Sequence, residues 1–411
     1  MKKSLWILVV FLMLGFCFNS NVYAGEIDVL LDVLVEQGVL TPIKAEIVRD
    51  ETKKRVAEEL AQGKHPNLPE WIQTTKLKGD LRLRHQWSKK DGAEDRNRGR
   101  YRFRLGLESN VADNFKVAAG LSTGGTDPRS TNQTMTNNFE TADIRMDYAY
   151  AQYQPKSWAT IYGGKFTRKP VLWQTGDLLW DGDINPEGVA VALTRSASDD
   201  VNLFLNTGVF VLDESSSDTS DPVMYYAQPG MKWDMGDGMS LKMAVALYGF
   251  NSLKGKGNLD HSAGTNSLDA AGNLMYDYNT INPEIELSIK EPLGGLVPYA
   301  AMFGQYVHNP NPANEGDGYL AGIKFGAKKV KKSGQWQAKY MYRRLEKDAW
   351  IDAYPDSDSY GGETGIKGHE VVFTYGLAKN VTLGLDYYYM ENITGPTIGE
   401  NIVQTDVEFK F

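Results

Sequence analysis

The chain has 411 residues, a formal net charge of −8, 41 glycines, 22 tyrosines and one cysteine. No run of 18 apolar residues occurs outside the extreme N-terminus, which excludes a membrane-spanning helix in the rest of the chain. The negative net charge argues against a nucleic-acid-binding protein, and a single cysteine excludes a fold held together by disulfides.

Residues 1–24 have the three parts of a secretory signal peptide. Lys2 and Lys3 precede an apolar stretch, and small residues follow it up to Ala24. A retained membrane anchor is the alternative interpretation. Cleavage after Ala24 would remove Cys17 and leave a mature chain without cysteine. The sequence therefore predicts an exported protein that is stabilised by its fold alone.

Residues 25–62 are predicted to form two helices. Apolar residues recur at helical spacing in each of them: Ile27, Leu30, Leu31, Leu34 and Val35 in the first, and Ile43, Ile47, Val48, Val56 and Leu60 in the second. Thr41 is the predicted N-cap of the second helix. Neither helix can bury its stripe alone. Self-association as a short coiled coil and packing of the two helices against each other are both open, and 63–75 is a predicted linker.

From Lys76 onward the sequence alternates between apolar and charged residues. The segments KLKGDLRLRHQW and RGRYRFRLGL place Leu, Tyr and Phe on one face and Lys and Arg on the other. A period of two residues is typical of β-strands with two different faces. Similar alternation recurs as far as Phe411 and gives sixteen predicted strands.

The connections between these strands alternate in length. Seven are short, and eight are long and mostly rich in Asp, Asn, Gly and Ser: 88–99, 123–142, 168–187, 212–222, 251–276, 309–318, 346–367 and 391–400. Short turns on one side and long loops on the other are typical of outer-membrane barrels. We therefore predict an all-β fold, a 16-stranded antiparallel transmembrane β-barrel over 76–411 preceded by the helical segment. A barrel of this size leaves an aqueous channel, and a secreted β-sandwich is the weaker alternative.

The last predicted strand ends in Phe411, with apolar or threonine residues at alternate positions back to Val403. A terminal phenylalanine on such a strand resembles the signal read by the barrel assembly machinery. Together with the signal peptide, it predicts a location in the cell outer membrane, in contact with lipid and with the helices in the periplasm.

A basic wall is predicted inside the barrel. If the apolar residues face lipid, eight cationic residues of the first three strands face water: Lys76, Lys78, Arg82, Arg84, Arg100, Arg102, Arg104 and Lys116. So many like charges require water, anions or facing carboxylates around them. Glu284, Glu286, Asp386, Asp406 and Glu408 are predicted to line another wall, and we expect a weak preference for anions.

Three segments resemble the putative porin family of Gram-negative outer membranes: Tyr342–Glu370, Gly163–Gly188 and the helical Leu30–Thr41. The resemblance covers essentially the whole mature chain. It implies a sixteen-stranded pore, a homotrimer as in general porins, and passive diffusion of small hydrophilic solutes or ions. It names no solute.

In general porins the third long loop folds inward and narrows the pore. The corresponding loop here, 168–187, carries acidic and aromatic residues that we predict to form the constriction: Trp173, Asp177, Trp180, Asp181, Asp183 and Glu187. An acidic loop opposite a basic wall would produce a transverse field that favours charged or dipolar solutes. The alternative is a loop that lies over the mouth of the barrel.

Signals for enzymatic or metal chemistry are weak. His369-Glu370 begins like a zinc-protease motif, but Phe373 occupies the position of the required second histidine. Asp181 begins a segment similar to a calcium loop, in which Pro186 stands where glycine is needed, so calcium bridging is a minor alternative. We predict neither an enzyme nor a bound metal or cofactor. The competing hypothesis is a structural or adhesive barrel tethered to the cell wall through its helices.

Overall fold

The computed structural model describes residues 22–61, 69–214, 216 and 220–411. These form two compact units, the first ending at Thr74 and the second comprising Thr75–Phe411. No helix in these described ranges is long and apolar enough to cross a membrane. Most of the predicted signal peptide, 1–21, and the stretch 62–68, which includes part of the predicted linker 63–75, lie outside the described residues.

The first unit contains the helices α1 (Val22–Glu36), α2 (Pro42–Ala61) and α3 (Glu70–Gln73). The last is a single turn inside the predicted linker. The Thr41 hydroxyl accepts a hydrogen bond from the Lys44 amide at 3.3 Å, as expected of an N-cap. Gly38, with φ of 69°, supplies the left-handed conformation between α1 and α2.

The contact between α1 and α2 is small. Leu31 and Ala45 are buried in it, and Arg49 binds Asp28 and Asp32 at 2.5 and 3.1 Å. Much of the apolar stripe predicted for α2 stays outside this contact: the exposed fractions are 72% for Ile43, 59% for Ile47 and 41% for Val48. Mutual packing of the two helices therefore leaves much of their apolar surface exposed.

The second unit is a closed antiparallel barrel of sixteen strands, which confirms the predicted fold class. Its strands are β1 (Lys76–Lys90), β2 (Arg96–Ala112), β3 (Phe115–Ser122), β4 (Arg145–Lys156), β5 (Ala159–Lys165), β6 (Glu187–Ser196), β7 (Val201–Val211), β8 (Val223–Gly236), β9 (Met239–Asn251), β10 (Ile281–Lys290), β11 (Tyr299–His308), β12 (Asp317–Gly326), β13 (Trp336–Leu345), β14 (Ile366–Ala378), β15 (Val381–Asn392) and β16 (Gly399–Lys410).

Each strand pairs with the next along the chain, and β1 pairs with β16 to close the barrel, from Asp80 opposite Lys410 to Lys90 opposite Glu400. Phe411 extends this seam, because its amide and carbonyl both hydrogen-bond Gly79. A Cβ atom on Gly79 would lie 2.6 Å from the Phe411 ring, so the close approach requires glycine there. Short peripheral strands occur at Gln133–Thr134 and Pro292–Gly295.

Side chains alternate between the two faces of the wall. Leu83, Val117, Leu287 and Phe373 are each about 40% exposed on the outside, whereas polar residues such as Gln228 are buried on the inside. This is the inverse of a soluble barrel, whose apolar residues face inward. The outer face is therefore suited to lipid and the inner face to water and polar loops.

Local irregularities change three details of the sequence prediction. The strands β1 and β2 are longer than predicted, so the first loop shrinks from 88–99 to 91–95. A bulge makes Asp147 an extra residue, because Gly120 opposes Tyr148 and Leu121 opposes Met146. As a result Met146 is 54% exposed and Tyr148 only 8%, so Tyr148 faces the inside of the barrel and not the lipid.

Pro229 lies within β8, where it pairs with Leu205 of β7 but interrupts the ladder with β9. A proline cannot donate the missing hydrogen bond, so the interruption is expected.

Strands β8 and β9 are joined by a tight turn of Asp237 and Gly238, which both have positive φ. This is the conformation that two-residue hairpin turns require.

An apolar core lies inside the barrel instead of between two sheets. It combines residues of three long loops, which we call loop 3 (166–186), loop 5 (252–280) and loop 7 (346–365), with the inner faces of strands β5 to β9 and β11 to β13. Trp180 of loop 3 and Trp350 of loop 7 are its largest members, with ring centroids 5.9 Å apart. The Trp350 indole nitrogen also donates to the Leu179 carbonyl at 2.7 Å.

Candidate pore and constriction

The eight predicted basic residues share one face of β1, β2 and β3. Arg82 lies opposite Arg102, Arg84 opposite Arg100, Lys76 opposite Glu108, and Lys116 opposite Asn110. Directly opposed residues of antiparallel strands point to the same side, and Arg84 and Arg102 are 7% and 5% exposed, inside the barrel.

The basic face extends further along β2 than the sequence predicted. Because β2 begins at Arg96, the alternation adds Arg96 and Arg98 to the same face as Arg100. Arg98 lies opposite the buried Gln86, and its Nε atom has no hydrogen-bond partner. The signal was present in the sequence RNRGRYRFR, but the surrounding charged residues made this part look like a loop.

Carboxylates neutralise the centre of the basic face. Five arginines contact five acids: Arg84 meets Asp406 at 2.7 Å and Asp358 at 3.0 Å, Arg102 meets Asp80 at 2.8 Å and Glu408 at 2.7 Å, Arg104 meets Asp80 at 2.9 Å and Asp183 at 3.2 Å, Arg82 lies 3.7 Å from Asp406, and Arg100 lies 4.0 Å from Asp358. Asp406 and Glu408 were expected on a separate acidic wall. Barrel closure instead brings β16 beside β1, so that their charges interleave with the arginines.

Loop 3 contacts the inward-facing residues of several distant strands. The Trp173 amide donates to the Gln228 side chain on β8 at 2.9 Å, and the Thr175 amide donates to Glu284 on β10 at 2.6 Å. Val171 and Leu179 are completely buried. The segment VLWQTGDLLW thus has apolar side chains that pack against the core and polar groups that bind the wall.

The four acidic residues predicted for the constriction have different environments. Asp183 alone contacts the predicted basic wall, at Arg104, and it also accepts hydrogen bonds from Thr131. The carboxylate of Asp181 accepts the amides of Asp183 and of Ser357 in loop 7. Glu187 is the first residue of β6 and pairs with Lys165 at 2.7 Å, outside the loop 3 contact.

The two predicted aromatic residues of the constriction also differ. Trp180 is 2% exposed within the apolar core, so it supports the loop and does not line an open passage. Trp173 is half-buried, and the ammonium group of Lys242 lies 4.5 Å from the centre of its ring. This arrangement is a cation–π contact that ties loop 3 to β9.

Arg343 of β13 is the anchor of the loop 3 tip. Its guanidinium binds Asp177 of loop 3 at 2.8 Å, Asp356 of loop 7 at 3.3 Å, and Glu370 of β14. The three carboxylates offer oxygens within 4.8 Å of one another, a spacing that could suit a cation. The arginine already occupies their centre, so the geometry is that of a buried ion-pair cluster and not of a metal site.

Four aspartates where loops 3 and 7 meet titrate differently. Burial alone would raise the pKa of Asp183 and of Asp358. The charges of Arg102 and Arg104 outweigh burial at Asp183, and that of Arg84 outweighs it at Asp358, so both pKa values are lowered. Burial, together with the nearby charge of Asp183, raises the pKa of Asp181 to about 8. Burial and Asp177 raise the pKa of Asp356 well above its ordinary value.

Sequence reasoning missed the loop 7 residues that complete this arrangement. Asp358 reaches Arg84 across 274 positions of the sequence, and Asp356 and Ser357 contact residues of β13 and loop 3. The aspartate-rich segment YPDSDSYGG was a signal of a special loop. Its pairing with particular arginines depends on barrel closure, which alternation alone does not specify.

Comparison with known proteins agrees with this architecture. A family model described as "Putative porin" matches residues 87–269 and 265–411. No curated protein sequence matches the chain. Among solved structures, OprB of Pseudomonas putida is 9% identical, with 86% of this chain and 96% of that one covered and a TM-score of 0.53.

Two further porin structures are similar at lower scores. A triple mutant of the porin of Rhodopseudomonas blastica is 13% identical, with 82% of this chain and 100% of that one covered and a TM-score of 0.43. The outer membrane channel DcaP of Acinetobacter baumannii is 12% identical, with 82% and 97% covered and a TM-score of 0.47. At these identities, similarity to solved structures speaks for the fold alone.

Proposed function

We propose that this chain, which belongs to the putative porin family, forms a water-filled channel for passive diffusion of small hydrophilic solutes. Family membership and the closed barrel indicate an outer-membrane channel and not an enzyme. The observation that carries the finer proposal is the wall itself, apolar on the outside and lined with charged residues such as Arg82 and Glu408 on the inside. A charged inner face requires water, and a continuous column of water conducts ions.

The second part of the proposal assigns the constriction to loop 3. Its contacts with Gln228, Glu284 and Arg343 on one side and with Arg104 on the other support a loop that crosses the lumen. Most arginines at the centre of the basic face are paired with carboxylates. The transverse field would therefore be weaker than the field between an acidic loop and a wall of unpaired arginines. We therefore retain only a weak preference for anions, carried by Arg96 and Arg98, which have no carboxylate within 4.0 Å in the part of the chain that the structure describes.

Single-channel conductance in planar bilayers tests both parts. The wild-type protein should give discrete steps that scale with the bulk conductivity of the salt. Replacing 172–183 with a short Gly-Ser link should raise the conductance of each step. A Gly-Ser replacement of the exposed residues 268–272 of loop 5 should leave it nearly unchanged. Unchanged conductance after the loop 3 replacement would refute the constriction, and the absence of any steps in the wild type would refute the channel.

The N-terminal unit supports a proposal about export and assembly. We propose that the signal peptide is cleaved after Ala24, that Phe411 is read by the barrel assembly machinery, and that the helices stay in the periplasm. The exposed stripe of Ile43, Ile47 and Val48 favours the coiled-coil option over mutual packing. Its occupants would be further copies of the same chain in a homotrimer.

One observation favours the structural alternative. The packed core of loops 3, 5 and 7 fills part of the lumen, and Trp350 and Leu253 within it are completely buried. A barrel filled across its whole section would serve as a tethered envelope protein and would not admit sugars. Diffusion of uncharged solutes separates this alternative from the channel.

A further inference from the structure

A cavity of about 400 Å³ lies between loop 3 and the inner face of the barrel. Its lining includes Lys78 of β1, Arg104 of β2, Lys410 of β16 and Lys169 of loop 3. Lys78 is two residues from the start of β1, and Lys410 is the last residue of β16. The cavity therefore opens toward the end of the barrel that carries the short turns, on the opposite side of loop 3 from the long loops.

Cationic side chains outnumber carboxylates in the lining of this cavity. Five cationic residues line it (Lys78, Arg104, Arg168, Lys169 and Lys410), against two carboxylates, Asp80 and Asp147. Three of these cations are paired: Lys78 with Glu108, Lys410 with Glu408 at 2.6 Å, and Arg104 with Asp80 and Asp183. Among the described residues, by contrast, Arg168 and Lys169 have no carboxylate within 4.0 Å.

Arg168 is the more unusual of these two cations. It is 7% exposed, its guanidinium donates to the Asp181 carbonyl at 2.9 Å, and its Nε atom has no partner. A buried guanidinium without a counterion is unfavourable. Buried polar atoms in proteins are normally hydrogen-bonded, so the free Nε atom indicates a missing acceptor. Lys169, next in sequence, is exposed to the lumen and can meet an anion first.

We propose that this cavity is a binding subsite for small hydroxylated organic anions that pass through the barrel. The inference rests on the proposed channel function. Lys169 and Arg168 supply the positive charge for the anionic group, and Thr167 and Tyr148 supply hydroxyl groups for the rest of the solute. The volume lies in the range of about 300–1,000 Å³ that is usual for small-molecule sites.

The test compares gluconate with glucose as blockers of the chloride current through the full-length protein in planar bilayers. These probes share a carbon skeleton and differ in charge. Gluconate should interrupt the current in a concentration-dependent way, and glucose at equal concentration should not. Lys169→Glu should raise the half-blocking concentration of gluconate about fivefold or more, because it places a negative charge beside the ligand. The milder Lys169→Gln should produce a smaller rise.

Lys379→Glu is the matched control, since it makes the same charge change in a short turn at the same rim and outside the cavity lining. Gluconate should block the current through this variant at the same half-blocking concentration as in the wild type. Heat-modifiable gel mobility verifies that every variant is folded. Equal block by glucose and gluconate, or an unchanged half-blocking concentration in Lys169→Glu, would overturn the subsite while leaving the channel intact. A wild-type protein that conducts no ions would overturn the channel and the subsite together.

Discussion

Arg343→Gln removes the positive charge that joins loop 3, loop 7 and β14. In the intact protein this guanidinium contacts Asp177, Asp356 and Glu370. The variant would leave three carboxyl groups close together without a cation other than Lys339, which lies 3.3 Å from Glu370. We expect the tip of loop 3 to leave the wall, because Asp177 is the most exposed of the three carboxylates, at 30% against 10% for Asp356 and 2% for Glu370.

The size of the effect follows from the burial of the cluster. Arg343 and Glu370 are each 2% exposed, and Asp177 is 30% exposed. Breaking a buried ion pair by removing one partner costs about 3–5 kcal/mol. Because Asp177 is partly solvated and the carboxyl groups can bind protons, we expect a cost at the lower end of this range, about 3 kcal/mol. A loss of ~3 kcal/mol would increase the undocked fraction of loop 3 roughly 100-fold.

Two measurements report this undocking. Trypsin should cleave after Arg168 in the variant and not in the wild type, where this residue is buried. Single-channel recordings should show a higher mean conductance with larger fluctuations. Arg344→Gln is the matched control, because Arg344 is the next residue, is 27% exposed and pairs with Glu346 outside the cluster. Wild-type protease resistance and conductance in Arg343→Gln would refute the role of this cluster as the anchor of loop 3.

Three further predictions concern pH, selectivity and assembly. Burial and Asp183 raise the pKa of Asp181 to about 8, above its unfolded value of 3.8. Between these two values the docked loop holds a proton that the undocked loop has lost, so docking weakens as pH rises from 3.8 to about 8 and changes little above that. Conductance should rise over this range in the wild type and level off above it, and a rise of equal size in Asp181→Asn would contradict this origin. The double substitution Arg96→Glu with Arg98→Glu should shift the reversal potential in a salt gradient from weak anion preference to cation preference, and an unshifted potential would exclude these arginines from the conducting path. Ile43→Asp with Ile47→Asp should abolish crosslinked trimers of the helical segment, whereas Glu51→Asp should not; trimers of equal yield would show that the stripe is not the interface.

The barrel was predictable because lipid and water impose a strict alternation on each strand. Positions such as Leu83 and Phe373 carry that signal locally, and it needs no knowledge of neighbouring strands. Its failures are also physical. The extra residue Asp147 reverses the face of Tyr148, which no fixed period of two can anticipate.

The inner contacts were harder to predict from the sequence. The basic residues of β1 and β2 were identified from their alternation, but their partners were not, because closure sets Asp406 beside Arg84 only after all sixteen strands have formed. Loop 7 was overlooked for the same reason. Asp358 and Asp356 reach the arginines through folding of the whole loop, and a composition rich in aspartate does not specify their partners.

Liposome swelling with uncharged sugars separates a diffusion channel from a plugged barrel. Vesicles containing the full-length protein should swell in sugars at rates that fall with increasing solute size, because the proposed water-filled passage runs beside the packed loops. Swelling no faster than that of protein-free vesicles, even with the smallest sugar, would contradict a diffusion channel and favour the tethered structural barrel.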